Sequence, residues 1–516
     1  MFLSLLSPSS LLIILSELIK NMSEHQISIE EAQENLLACA AFLAEDIKSA
    51  DGHAEAMKEI IARYLEKDDV DLAAALADTV ADPFVRDRLL SNVADKCAAL
   101  DDDEYAFQLI ESIEDYGLQA EAKERIAIRK ASIGEFDKAC LIAAALDHPS
   151  QALGIIAYHL TVNNREAEAQ ETLLRIEYPA AKVNALQFIA EHYEKNNQKE
   201  KTNATLDEAV ISAEEIDFPE EKVRILQYIA EHFRGNGRND RAIETFDKAK
   251  TIAEGIDGIH RDTLLGGIAL GFLRAGSVDL ADRALDLVGD NTQVASCLVG
   301  FSQEFFEKGD ADEALETLEE AYAILKSQKD AEIRDSMARF ALLGTVAVQF
   351  AKFGKAERAI EIAQENISES DQMSALANIA QVCTMQGKDE SARQAVAAIL
   401  DDAQKMFALI GVSDAKNELG EREKAIELLH EAATLCETVP QLASRSAAYN
   451  ELSKRLNDYG ETAKARELSH ENLETIANIR AENTRAVALV QLADIYEKEN
   501  FTLTDAEKTI LQKMII

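Results

Sequence analysis

Tryptophan is absent from the 516 residues, and proline and cysteine occur six times each. Scarce proline removes a common interruption of helices, and abundant Ala, Leu, Glu and Lys favour helix throughout. The cysteines (Cys39, Cys97, Cys140, Cys297, Cys383 and Cys436) are scattered with no C-x-x-C spacing. That argues against a clustered zinc site or a disulfide framework and suits small buried side chains in a reducing compartment. Positive charge is also in deficit: 53 Lys and Arg against 94 Asp and Glu leave a net charge of −41. A nucleic-acid binder needs a positive face to displace counterions from phosphates, so that class is disfavoured. Anionic membrane surfaces repel such a chain, and basic partners attract it.

The first twenty residues, MFLSLLSPSSLLIILSELIK, depart from this pattern. No Lys or Arg precedes Lys20, and Pro8 with its neighbouring serines breaks the apolar run. The stretch lacks the basic start of a secretory signal and the roughly twenty apolar residues of a membrane span. Residues 1–21 are therefore read as an extension outside the fold, with an atypical signal peptide or a membrane-associating helix as alternatives. Met22 opens MSEHQISIEEAQENL, which reads as a cytoplasmic N-terminus, and a leading helix is expected near Ile29–Lys48 within residues 22–52.

What is present is repetition. IAEH occurs at Ile189–His192 and again at Ile229–His232, 40 residues apart, each time running into a polar turn. Turns of this kind recur at Asp68, Asp101, Gly134, Asn164, Asn197, Gly237, Gly276, Gly309, Gly354, Gly387, Gly420, Gly460 and Asn500. Gly, Asn and Asp tolerate the left-handed backbone that ends a helix. Eight residues before the turn a large apolar residue stands in all thirteen units. Seven before it, twelve are Ala or Ser; five after it, eleven are Ala. Apolar residues at −11, −8, −7 and −4 trace one face of a helix, and the small residues mark where two helices approach closely. Each unit is then a helical hairpin that buries its apolar face only against neighbours.

The apolar–small–aromatic spacing before the turn and the Ala after it, as in LQYIAEHFRGNGRNDRAIETFDKA (Leu226–Ala249), resemble the tetratricopeptide repeat family over residues 53–516. The resemblance implies an all-α, right-handed α-solenoid of about thirteen stacked helix-turn-helix hairpins. The family's usual Trp is missing, and many units have 33 residues where others reach 39–45, so an irregular, TPR-like superhelix is implied.

Candidate chemistry is sparse. Glu and His at adjacent positions point about 100° apart on a helix, and the i, i+4 spacing of H-E-x-x-H is absent, so IAEH is read as repeat surface. GGIALG (Gly266–Gly271) lacks both the G-x-G-x-x-G spacing and a preceding strand. No P-loop, G-x-S-x-G or calcium-loop pattern occurs. No catalytic, cofactor-binding or metal residue is proposed, and a non-enzymatic role is expected.

In the resembled family the first helix of each hairpin lines the binding groove. Carried over, positions −13, −10, −6, −3 and −2 imply a groove including Asn184, Gln187, Glu191, Glu194, Arg224, Gln227, Glu231, Arg234, Leu270, Leu273, Gln303 and Phe306. Its carboxylates disfavour an acidic tail and favour a basic or apolar protein or peptide segment, with Phe306 as an anchor. The resemblance thus implies a scaffold or adaptor. A peptide-responsive regulatory sensor is the alternative, and an enzyme with a site between repeats ranks below both. The apolar end LQKMII also raises self-association through the C-terminus, since terminal repeats need capping.

Overall fold

The computed structural model describes residues 25–327, 336–365 and 368–516, so the expected extension at residues 1–21 lies outside the described residues. Among those described there are 28 helices and no strand. They fall into two compact units, one built from the described residues of 25–122 with 401–516 and the other from those of 123–400.

The first unit holds α1 (Ile29–Glu34), α2 (Leu36–Glu45), α3 (Ala50–Glu66), α4 (Val70–Asp78), α5 (Pro83–Ala99) and α6 (Asp103–Ser112). Helix α7 (Tyr116–Ser132) runs across its boundary with the second unit. The second continues with α8 (Phe136–Ala144), α9 (Ser150–Val162), α10 (Glu166–Leu173), α11 (Pro179–Lys195), α12 (Lys199–Glu214), α13 (Pro219–Gly235) and α14 (Asn239–Glu254). It is completed by α15 (Ile259–Arg274), α16 (Val278–Leu285), α17 (Asn291–Lys308), α18 (Ala311–Ser327), α19 (Ser336–Lys352), α20 (Ala356–Glu365), α21 (Glu369–Met385) and α22 (Asp389–Ala397). The first unit resumes with α23 (Asp402–Glu418), α24 (Arg422–Cys436), α25 (Leu442–Asp458), α26 (Thr462–Ala477), α27 (Glu482–Lys498) and α28 (Asp505–Ile515).

All thirteen turn residues have positive φ; five are Asp or Asn, and eight are Gly. Each closes its helix with the same pair of bonds. The turn amide donates to the carbonyl three residues back, as from Gly237 to Arg234 at 2.9 Å, and the next amide donates five back, as from Arg238 to Phe233 at 2.8 Å. This is the Schellman ending, and in twelve units the second helix starts two residues after the turn; after Asn500 it starts at Asp505. The residue at −8 is buried in every unit, from Ile60 to Leu492. Burying one such side chain stabilises by roughly 1.5–3 kcal/mol, so thirteen of them carry much of the core.

Two units depart from the template at −4, where eleven place an aromatic, Leu or Cys. Lys130 and Lys416 are buried there, and each meets a Glu one residue past its turn: Lys130 with Glu135 at 3.5 Å, Lys416 with Glu421 at 3.1 Å. The long aliphatic stem fills the aromatic's place while the ammonium keeps a counter-charge.

A further regularity lies fifteen residues before the turn, where the first helix begins. A polar side chain there reaches back to the closing carbonyls of the preceding hairpin: Gln119 to Ile113 at 2.6 Å, Lys222 to Glu214 at 2.9 Å and Arg339 to Leu325 at 2.8 Å. Cations at this place also complement the negative end of the helix. Asp87 and Asp262, one residue later, each accept two amides of the following linker, at 2.8 and 2.9 Å and at 2.8 and 3.1 Å.

The leading helix expected near Ile29–Lys48 is broken at Asn35, whose Oδ1 accepts the Ala38 amide at 3.0 Å and starts α2 afresh. Within the first unit its N-terminal and C-terminal segments meet. Helix α27 packs on α2 and α3, while α28 packs on α1, α2 and α26. The final helix thus has partners inside its own chain, with Leu511 fully buried and a capping box between Thr504 and Glu507 at its start.

Candidate functional site

Along the first helices the residues at −13, −9, −6 and −2 from the turn are exposed or half-buried, a 4–3–4 spacing that follows one stripe of an α-helix. The surface of interest is this stripe in the second unit, from α9 to α21. Its charged members are Glu191, Lys195, Arg224, Glu231, Arg274, Glu307 and Lys352, four cations against three carboxylates. In the first unit the same stripe of α3, α5, α23, α25 and α27 carries nine carboxylates and three cations. The large negative charge of the chain therefore spares the second unit's stripe.

Apolar side chains occupy it instead. Phe188 and Tyr228, both at −9, remain about two-fifths exposed, as do Val162 and Met385 at −2. Tyr158 on α9 lies 5.9 Å from the Phe188 ring on α11, and the Tyr228 hydroxyl on α13 donates to Glu191 on α11, so each of these aromatics is tied to the neighbouring first helix. Leu141, Leu174, Ile211 and Leu400 are more exposed, but they sit singly and off this stripe. Further along, two adjoining clefts lie between α19 and α21. One of about 570 Å³ is lined by Val348, Val382 and Met385 with Asn378, Gln381 and Lys352. The other, of about 300 Å³, shares Val348, Lys352 and Asn378 and continues to Thr345 and Ser374. The first lies in the size range of small-ligand pockets, and both are open, apolar-floored and amide-rimmed.

The structure redistributes the groove expected from sequence. Asn184 and Arg224 are exposed on the stripe at −13. Glu191 and Glu231 lie on it at −6 but are committed internally: Glu191 accepts from Tyr228, and Glu231 pairs with Arg234 at 2.7 Å and Arg274 at 3.9 Å. Glu194 faces His232 at 3.2 Å. Gln187 and Gln227 are half-buried at −10, and Gln227 donates to the Leu264 carbonyl at 2.9 Å, tying α13 to α15. Leu270 is half-buried against Gly300, and Gln303 is exposed and bonded to Glu307 at 3.0 Å. Phe306 stacks on Phe353 at 4.3 Å with part of its ring exposed. Leu273 is fully buried; its −3 position turns it into the core, and it is unavailable to a partner. The sequence-derived groove left out Phe188, Tyr228 and Met385, although the 4–3–4 spacing includes all three.

Among the described residues no group of three or more His, Cys, Asp or Glu could hold a metal ion. Burial pushes the Cys297 thiol up to about 12 and that of Cys97 to about 11, which removes thiolate reactivity. No described helix is long and apolar enough to cross a membrane.

No family model and no curated protein matches the chain. Solved structures resemble it at low identity. The quorum sensor NprR from B. thuringiensis is 14% identical, covers 70% of this chain and 100% of its own, and has a TM-score of 0.24. A Rap protein complexed with Competence and Sporulation Factor is 15% identical, covers 67% and 98%, and has a TM-score of 0.26. The APC/C assembly Cut9–Hcn1 is 13% identical, covers 81% and 96%, and has a TM-score of 0.22. The assignment of the architecture rests on the chain's own hairpins: thirteen left-handed turns, the small residues packed beside them, and first helices stacked on first helices make this a TPR-like helical repeat protein.

Proposed function

We propose that the chain is a protein-interaction scaffold whose second unit docks a segment of a partner along the −13/−9/−6/−2 stripe of α9–α21. The observation that carries this reading is that exposed Val162, Phe188, Tyr228 and Met385 all fall on one near-neutral stripe of a protein with a net charge of −41. Exposed aromatics on a rigid scaffold supply contact area at little entropic cost. The carboxylates that would have attracted basic side chains are engaged with Tyr228, His232, Arg234 and Arg274. The favoured partner segment is therefore apolar and weakly charged, with the Asn378 and Gln381 amides at hand for its backbone.

The test is a full-length variant carrying Phe188→Ala, Tyr228→Ala and Met385→Glu, compared with the parent for partners retained from native lysate. Helical circular dichroism is expected to be unchanged, because all three side chains are substantially exposed. Partners held by the parent should be lost, with affinity reduced at least about tenfold, as for truncated hot spots. Parent binding should change less than about threefold between low and high salt, since few charges take part. Partners that persist on the folded variant, or that leave the parent steeply with salt, would contradict the reading.

A further inference from the structure

Helices α2 and α27 belong to segments separated by residues 123–400, so their junction is held by non-covalent contacts alone. Every residue of Leu36–Ala44 in α2 is buried, which takes cover from α27 and α28 as well as from α1 and α3. A helix that is apolar all round is stable only when enclosed. At the rim, polar groups cross the junction in matched pairs. Arg63 of α3 meets Asp494 of α27 at 2.5 Å, Lys67 pairs with Glu497, Lys508 of α28 pairs with Glu34, and Asn483 donates to Glu55 at 2.7 Å. The two faces are different surfaces, so the contact is of the head-to-tail kind.

We propose that these faces also pair between copies of the chain, the α2–α3 face of one docking on the α27–α28 face of another in place of the intramolecular junction. A second copy presents the same apolar helix and the same complementary charges, so a junction parted within one chain is satisfied in full by its neighbour. Within one chain the two faces are already held together, so their pairing is intramolecular and keeps the dilute protein closed on itself. Exchange takes over when the internal pairing is weakened and the pairing between copies is not. Two chains then exchange reciprocally, or several join head to tail.

Two full-length variants test this. One carries Arg63→Glu and Lys67→Glu; the other carries Asp494→Lys and Glu497→Lys. Each opposes like charges within its own junction, a juxtaposition that disfavours pairing strongly. In a mixture, every junction between unlike copies joins opposite charges. Size-exclusion chromatography with light scattering should show each variant alone at the monomer mass of 56.7 kDa and the mixture at twice that mass or more. A mixture that stays monomeric overturns the proposal, as does assembly of either variant alone to the same extent. A chain carrying all four substitutions restores complementarity internally and should be a monomer with the parent's thermal midpoint. If either double variant loses helical signal, the single exchange of Lys67→Glu with Glu497→Lys is read in the same way.

Discussion

Replacing Gly271 by Ala should destabilise the second unit by about 1–2 kcal/mol, despite the helix propensity that alanine ordinarily adds. A Cβ at this position would fall inside 3.0 Å of Cε1, Cζ and Cε2 of Phe246. The Phe246 ring is buried and packs against Phe272 with centroids 5.7 Å apart, so it cannot swing away. Overpacking of this kind costs about 1–3 kcal/mol, occasionally more. The gain of Ala over Gly in a helix is roughly 0.5–1 kcal/mol and does not offset it. Gly267 is the contrast. There the atom met by an added Cβ is the Gln227 amide nitrogen, the far end of a flexible side chain, and the loss should be limited to the bond from Gln227 to Leu264. Repeat arrays need not unfold in one step, so the measurement is local hydrogen exchange of α14 and α15. Faster exchange there for Gly271→Ala, partly reversed by adding Phe246→Leu, is the expected result. Equal exchange in the Gly271→Ala and Gly267→Ala variants would contradict it.

Glu507→Ala should release the final helix. The Glu507 carboxylate is fully buried and accepts from both Arg466 nitrogens, at 2.7 and 2.5 Å, from the Tyr496 hydroxyl at 2.7 Å, and from the Thr504 amide at 2.8 Å. His470 stands at 3.1 Å from the same carboxylate, and Arg466 lies over the Tyr496 ring. Removing one member of a fully buried ion pair costs about 3–5 kcal/mol; here the guanidinium keeps the Tyr496 hydroxyl at 2.7 Å and the Thr502 carbonyl at 3.1 Å, so the loss lies at the low end of that range. Burial by itself would raise the carboxyl's pKa, but the bonds from Arg466, Thr504 and Tyr496 outweigh it and hold the value at about 2, below the ordinary 4.5. The folded form therefore favours the ionised group. Its contribution is fully present above pH 4.5 and is lost as pH falls from 4.5 towards 2. Limited proteolysis between α27 and α28 should rise across that window in the parent and be high and flat with pH in Glu507→Ala. A variant that resists cleavage as the parent does would refute the role given to this cluster.

Much of the architecture was legible because the repeat's constraints are local. The turn residue has to accept a left-handed backbone, the residue at −7 has to be small, and that at −8 has to be buried; each leaves its mark at a fixed offset. What was not legible depended on contacts between units. The run LLACAAFLA at Leu36–Ala44 is apolar on every side, a pattern that signals full enclosure, yet the sequence does not say that helices some 450 residues later would provide it. The break at Asn35 was likewise masked by a run that continues apolar beyond it. Lys130 and Lys416 look like failures of the template at −4 until the Glu one residue past each turn is recognised as the compensating partner. The site was the least readable part. The family-derived offsets placed Leu273 and Gln227 in the groove, where the structure buries one and uses the other as a tie between helices. They passed over Phe188 and Tyr228, one residue further along the helix, which hold the exposed place. The sequence also does not show how its charges pair: the carboxylates at Glu191, Glu194 and Glu231 are counted in the net charge but meet side chains on their own and neighbouring first helices.

The most direct measurement is site-specific photo-crosslinking of the full-length chain in native lysate. A benzophenone side chain would be placed at Gln381 on the stripe of α21 and, in a second protein, at Glu361 on the second helix α20. The account predicts a discrete partner adduct from position 381 that disappears when Phe188→Ala, Tyr228→Ala and Met385→Glu are added, and none from position 361. An adduct formed equally from both positions, or only from position 361, would place recognition elsewhere on the repeats and contradict the central claim.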